Sequence, residues 1–285
     1  MSIAAKQLEK YGWGIILFIT VIGSAGALNH ILDGFWSTGD IPVVRSVNIN
    51  LFGEDFFKHW LNFRTYPIAR MFHMLPGLTY MLLAPVQFIP SIRSRYPKFH
   101  RINGRMVLIL TIVLLPSGMI FAFSHPYVGF REQVPTVFYT FIYLGCVAMG
   151  LRSIYRRRFA EHREWMIRVY AFGLGIYSIR VWYSLFLHLS RQPSTEFFAT
   201  SFWIGIAANL VVAEIWINLS RAEAASAYRQ SEGLPETAAV ATYGEEMQPR
   251  SLPAGLSPQG SSTLRDFTGS ALQGDLIPSE GDGSI

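Results

Sequence analysis

Cysteine is nearly missing: Cys146 is the single one in 285 residues. That excludes an internal disulfide and any cluster of thiolate metal ligands. Cys146 lies in an apolar run, where a lone cysteine acts as a small buried hydrophobe. Charge is scarce as well, at 15% of residues, against roughly 25% in an average soluble chain. There is no Gly-rich phosphate loop, no HExxH and no serine nucleophile elbow, so the motif-bearing NTPase, metallopeptidase and hydrolase classes gain no support. No internal period points to a solenoid.

Apolar residues fill the gap, at 51% of the chain with 14% aromatic. The net charge of +5 is uneven. From Arg221 onward there are nine acidic and four basic residues, and before it ten acidic and twenty basic. A basic, charge-poor, aromatic-rich body is the composition of a membrane domain whose cations collect at one lipid face. Those cations fall between hydrophobic runs rather than in one stripe, which argues against nucleic acid as a partner.

A membrane-crossing helix needs roughly 20 mostly apolar residues, and about six such runs occur. They are 13–28, 71–89, 106–123, 137–151, 167–187 and 202–219. The fold expected is therefore all-α, an integral membrane bundle of about six transmembrane helices. Three regions follow: a first span with an outer amphipathic segment (1–70), a five-helix membrane core (71–220) and a tail (221–285). The tail is rich in Ser, Gly, Pro and acids, cannot bury enough surface to offset its ordering entropy, and is expected to be disordered.

Lys and Arg fix the expected orientation. The loop after the second run holds Arg93, Arg95, Lys98, Arg101 and Arg105, and the loop after the fourth holds Arg152, Arg156, Arg157, Arg158, Arg163 and Arg168. The loops after the third and fifth carry Arg131 and Arg191 alone. The basic pair faces the cytoplasm, and both termini lie there too, with Lys6 and Lys10 agreeing. A competing reading makes the first run a secretory signal cleaved after the small residues Ser24, Ala25, Gly26 and Ala27. Between the first two runs, Phe52, Phe56, Phe57 and Trp60 recur at helical spacing, as in a short helix lying in the outer interface.

Ionisable residues inside hydrocarbon cost at least about 2.5 kcal/mol and face partners or cavities. His73, Arg180 and Glu214 occupy such positions. His73 and Arg180 are expected to share an outer layer, and Glu214 to lie level with Arg168. For His73 the structural alternative is a hydrogen-bonded packing histidine; for Arg180 it is a salt bridge or carbonyl contact. His73, Tyr80 and Gln87 are spaced by seven and stay within about 40° of one helix face. Gly173 and Gly175 suggest a close helix contact.

The basic loops repeat a pattern. His100 and Arg101 are followed by Arg105, and His162 and Arg163 by Arg168, each where a spanning helix begins. Helix N-termini expose unpaired N–H groups and favour anions. Side by side, the two stations would form one basic pocket floored by Gln87, Asn209 and Glu214. The alternative is that the cations only contact lipid headgroups, which by itself requires no histidine.

The stretch from His73 through Pro85, Gln87, Phe88, His100, Arg101, Gly104 and Arg105 resembles a family of predicted multi-pass membrane proteins of unknown function, with bacterial and fungal members. The resemblance continues through His162, Arg163, Trp165, Met166, Ile167, Arg168, Tyr170, Ala171 and Arg180, and ends on 209–214, from Asn209 to Glu214. It spans roughly 70–219 and implies the fold and which polar positions matter, with no established activity.

Three functions are open at this point. The first is a membrane-embedded site for an amphipathic anion, such as a lipid, isoprenoid or polyketide, within specialised metabolism. Arg101, Arg105, Arg163 and Arg168 would clamp the head group, with His73, Gln87, Arg180 and Asn209 lining the site. His100, His162 or Glu214 would move protons. The second is a b-type haem electron carrier using His73 and His188 in one layer and His100 and His162 in the other. The third is a non-enzymatic accessory or scaffold protein. None of the three fixes an oligomeric state.

Overall fold

The computed structural model describes residues 3–37, 40–62, 65–190 and 195–232, and every regular element among them is helical. Nine α-helices follow in order: α1 (Ile3–Trp36), α2 (Pro42–Phe52), α3 (Glu54–Asn62), α4 (Pro67–Leu83), α5 (Pro90–Arg95), α6 (Pro97–Ser124), α7 (Phe130–Tyr155), α8 (Phe159–Ser190) and α9 (Thr195–Glu232). Prolines start α2, α4, α5 and α6, where their fixed φ is preorganised and their missing N–H leaves no bond unmade. Gly53 at φ 83° separates α2 from α3, a left-handed turn that a Cβ would disfavour.

Six helices, α1, α4, α6, α7, α8 and α9, form an up-and-down bundle. Chain neighbours α4 and α6, α7 and α8, and α8 and α9 pack together, and α1 packs on α4. The starts of α6 and α8 and all of α5 lie at one end, the basic end. Helices α2 and α3 lie at the other. Gly205 sets the α8–α9 approach, since a Cβ there would lie 2.9 Å from the backbone N of Ile179. Gly173 and Gly175 act as expected: their Cβ positions would fall 2.5 Å from the Tyr80 hydroxyl and 2.7 Å from Ile206.

All six expected runs coincide with helices, yet among the described residues only α1, α6, α7 and α9 are long and apolar enough to cross a membrane. Helix α4 stops after 17 residues. Pro85 has no N–H to continue the ladder, so the chain turns through a short 3₁₀ segment, Pro85–Phe88. The run expected to reach residue 89 is therefore broken, and Gln87 leaves the stripe of His73 and Tyr80. Helix α8 has the length, but Arg168 and Arg180 interrupt its apolar residues. It is the central element, in contact with α1, α2, α7 and α9.

The exposed surface is what demands lipid. In none of the four apolar windows is more than 28% buried inside the protein. Phe18, Ile112, Phe141 and Val212 are each at least 60% exposed. At about 25 cal/mol per Å² such surfaces are not left in water.

Two expectations are corrected. Helix α3 does not lie with its aromatic side in the lipid interface: Phe56, Phe57 and Trp60 are buried. Phe56 packs against rings of Tyr127, Tyr183 and Phe198. Helix α9 also continues through Arg221 to Glu232, where Arg221 makes a bidentate pair with Glu164 of α8. The remaining tail, 233–285, and Arg191 lie outside the described residues.

Candidate functional site

At the basic end the two His-Arg stations come to the same face of the bundle, and the imidazoles of His100 and His162 are near enough to interact electrostatically. Station one is fastened from behind. The Gln87 amide donates to the His100 carbonyl at 3.2 Å, and Asn103 donates to the Leu83 carbonyl at 3.0 Å. Gly104 makes room for Gln87, whose Oε1 would lie 3.4 Å from a Cβ there. Arg101 and Arg105, one turn apart, stay exposed. Neither makes a side-chain hydrogen bond or ion pair among the described residues. His100 is half-buried, with Nδ1 buried and unbonded.

Station two is more committed. His162 Nδ1 lies 2.9 Å from the Gly150 carbonyl. A carbonyl only accepts, so Nδ1 carries a proton, and in the neutral ring the lone pair is on Nε2. Arg168 is not open to a ligand. It donates to both Glu214 oxygens at 2.5 and 2.9 Å and stacks its guanidinium 4.6 Å above Trp165. The level-counting that paired Glu214 with Arg168 thus matches the geometry.

The expected floor does not assemble. Gln87 belongs to station one, Glu214 to Arg168, and Asn209 lies deeper. Asn209 donates to the Ala171 carbonyl at 3.1 Å and accepts from Ser178 at 3.0 Å, which clamps α9 to α8.

At the other end the structure reveals residues that the sequence reading passed over. Asp33 of α1 and Arg70 of α4 form an ion pair at 3.3 Å with side chains 0% and 1% exposed. His30 packs on Trp60 at 4.8 Å. Around His30 gather Asp33, Arg70, His73 and Arg180, which joins His73 and Arg180 in one layer as expected. His73 Nδ1 meets Ser117 Oγ at 2.8 Å, and Ser117 itself donates to the Leu114 carbonyl. Ser117 therefore accepts, and His73 holds its proton on Nδ1. Arg180 donates to the Ile176 carbonyl of its own helix at 3.1 Å, the carbonyl contact foreseen as an alternative. His188 is exposed and donates to the Ser184 carbonyl at 2.7 Å, two turns beyond Arg180.

Nothing in residue type marked Asp33 or Arg70 as intramembrane, because both fall where the hydropathy of their runs fades. The available signal was their opposite charge at the facing ends of two consecutive long helices. Cys146 is buried and free.

Long helices with apolar outer faces, charged groups at the ends and a few ionisable residues sealed within define a multi-pass helical membrane protein. The chain belongs to the predicted membrane protein family DUF2306, which matches residues 70–217. That match takes in both His-Arg stations, Arg70, Arg180 and Glu214. No curated protein and no solved structure matches the chain.

Proposed function

We propose that the basic end binds, and presents for reaction or transfer, an amphipathic anion, with the basic end and both termini on the cytoplasmic side. The observation that carries this reading is a contrast among cations. Arg168 and Arg221 are each held by a carboxylate, whereas Arg101 and Arg105, on the same helix as the buried, unbonded His100 nitrogen, are exposed and make no side-chain hydrogen bond or ion pair among the described residues. A guanidinium pair one helical turn apart suits a phosphate or carboxylate, each contact being a charge-assisted hydrogen bond. His162, whose Nε2 has no hydrogen-bond partner among the described residues, would be the group to accept a proton released when the bound molecule reacts.

The test is mass spectrometry of lipid extracts from the detergent-purified protein and from Arg101→Gln/Arg105→Gln. Loss of about tenfold in one co-purifying anionic amphipath is expected, equivalent to about 1.4 kcal/mol. An unchanged extract with normal protein yield overturns the reading. A change in abundance alone favours the accessory role.

A second reading, one b-type haem between His100 and His162, draws on their proximity and on the His162 tautomer, since a ligating histidine commonly donates its other N–H to a carbonyl. A Soret band in the same preparation, abolished by His162→Ala, would select it.

A further inference from the structure

Around His30, at the other end of the bundle, the described residues place two guanidiniums and one carboxylate. Asp33 is fully enclosed and takes a hydrogen bond from Arg70 at 3.3 Å. Arg70 is itself 0% exposed, and its Nε is buried without a partner. The second guanidinium, Arg180, makes one hydrogen bond, to the Ile176 carbonyl, and no ion pair among the described residues. A guanidinium carries five N–H donors, so most of those on Arg180 have no protein acceptor. Its polar neighbours are Tyr177, His30 and His73, none of which is an anion at neutral pH. The one carboxylate among these described groups is thus taken by Arg70, which leaves Arg180 without a counter-charge where lipid surrounds the bundle, and an uncompensated charge there is costly.

We propose that Arg180 is the anchor of a second ligand site, which holds the carboxylate of a long-chain monoanion between α1, α4 and α8. One excess positive charge matches a carboxylate better than a phosphate monoester, which carries up to two negative charges. The planar fork of Arg180 accepts a carboxylate in the bidentate manner. The site is half-buried rather than sealed, and Ile176, whose carbonyl Arg180 holds one turn away on α8, has its apolar side chain 45% exposed. An acyl chain lying along that outward face of α8 would leave its head at Arg180. This site does not depend on the basic-end reading, since Arg180 is 12 residues, about 18 Å, along α8 from Arg168.

The experiment uses the full chain in phosphatidylcholine nanodiscs with a diazirine-bearing palmitate and, in parallel, its methyl ester. Labelling by the acid is expected on peptides of α1, α4 and α8 and to exceed labelling by the ester at least about tenfold, as removal of a charged hydrogen-bonding group implies. Arg180→Gln should lose that selectivity, Arg180→Lys should keep part of it, and Arg101→Gln/Arg105→Gln should leave it intact. Equal labelling by acid and ester overturns the proposal, as does selectivity that survives Arg180→Gln or disappears with the basic-end variant. Stronger competition by dodecyl phosphate than by laurate overturns the carboxylate assignment. Should Arg180→Gln fail to fold, the acid-to-ester ratio and the map of labelled peptides in the wild type still decide.

Discussion

Asp33 and Arg70 meet at 3.3 Å across 37 residues of sequence, both fully enclosed. The pair closes the α1–α4 contact after α2 and α3 have intervened, so it ties the first helix to the region matched by the family. Removing one partner leaves the other charged and buried. Asp33→Asn is expected to destabilise the protein by about 3–5 kcal/mol, whereas Asp33→Leu with Arg70→Met recovers most of that loss. Thermal denaturation in detergent, read by circular dichroism, checks both.

Glu214 and Arg168 form the better hydrogen-bonded pair but the more accessible one, with Glu214 45% exposed. Solvent screens it, so Glu214→Gln should lower stability by only about 1 kcal/mol. The double variant with Arg168→Gln should cost little more than the larger single one. A double-mutant cycle with additive losses would show that the two residues act separately.

Gly205 permits the backbones of α8 and α9 to touch, and the obstruction facing an added Cβ is main chain rather than a movable side chain. Gly205→Ala must push the helices apart and should cost about 1–3 kcal/mol. Gly14→Ala, with nothing near its Cβ position, should change stability little, as expected of a lipid-facing position. Parallel unfolding curves compare the two.

His59 sits on α3, its ring 5.1 Å from that of Tyr127. It borders a cleft of about 250 Å³ shared with Asn62, Ser124, His125 and Pro126. Burial, with His125 adding a smaller push, holds its pKa below the ordinary 6.5. The unfolded chain therefore binds the proton more readily, and stability is lost as pH falls below 6.5 toward the folded value. Melting temperatures measured from pH 7.5 to 5 should decline over that window, and His59→Gln should flatten part of the decline. An identical slope in both proteins would assign the effect to other groups.

Hydropathy revealed the six bundle helices because each carries a run of apolar residues, although α4 and α8 fall short of the length or apolarity of the other four. Counting residues along two antiparallel helices sufficed to match Glu214 with Arg168 and His73 with Arg180. It could not show what those side chains bind. Asn209 was read as part of a pocket floor, but its amide is held between α8 and α9, a choice that depends on helix rotation and not on depth. The aromatic stripe of α3 was plain at helical spacing; whether it faced lipid or protein depended on rings supplied by Tyr127, Tyr183 and Phe198, far along the chain. Asp33 and Arg70 were invisible for the same reason, each being unremarkable until the other is set beside it.

The placement of Phe56 among three rings has a consequence for traffic. From the α3 end, a molecule heading for Arg180 would have to part Phe56 from Tyr127, Tyr183 and Phe198. The approach left is sideways, past Ile176, whose side chain already faces outward one turn from Arg180. A guest of the proposed Arg180 site would be drawn from the acyl layer itself, so its supply would track membrane partitioning more closely than concentration in water.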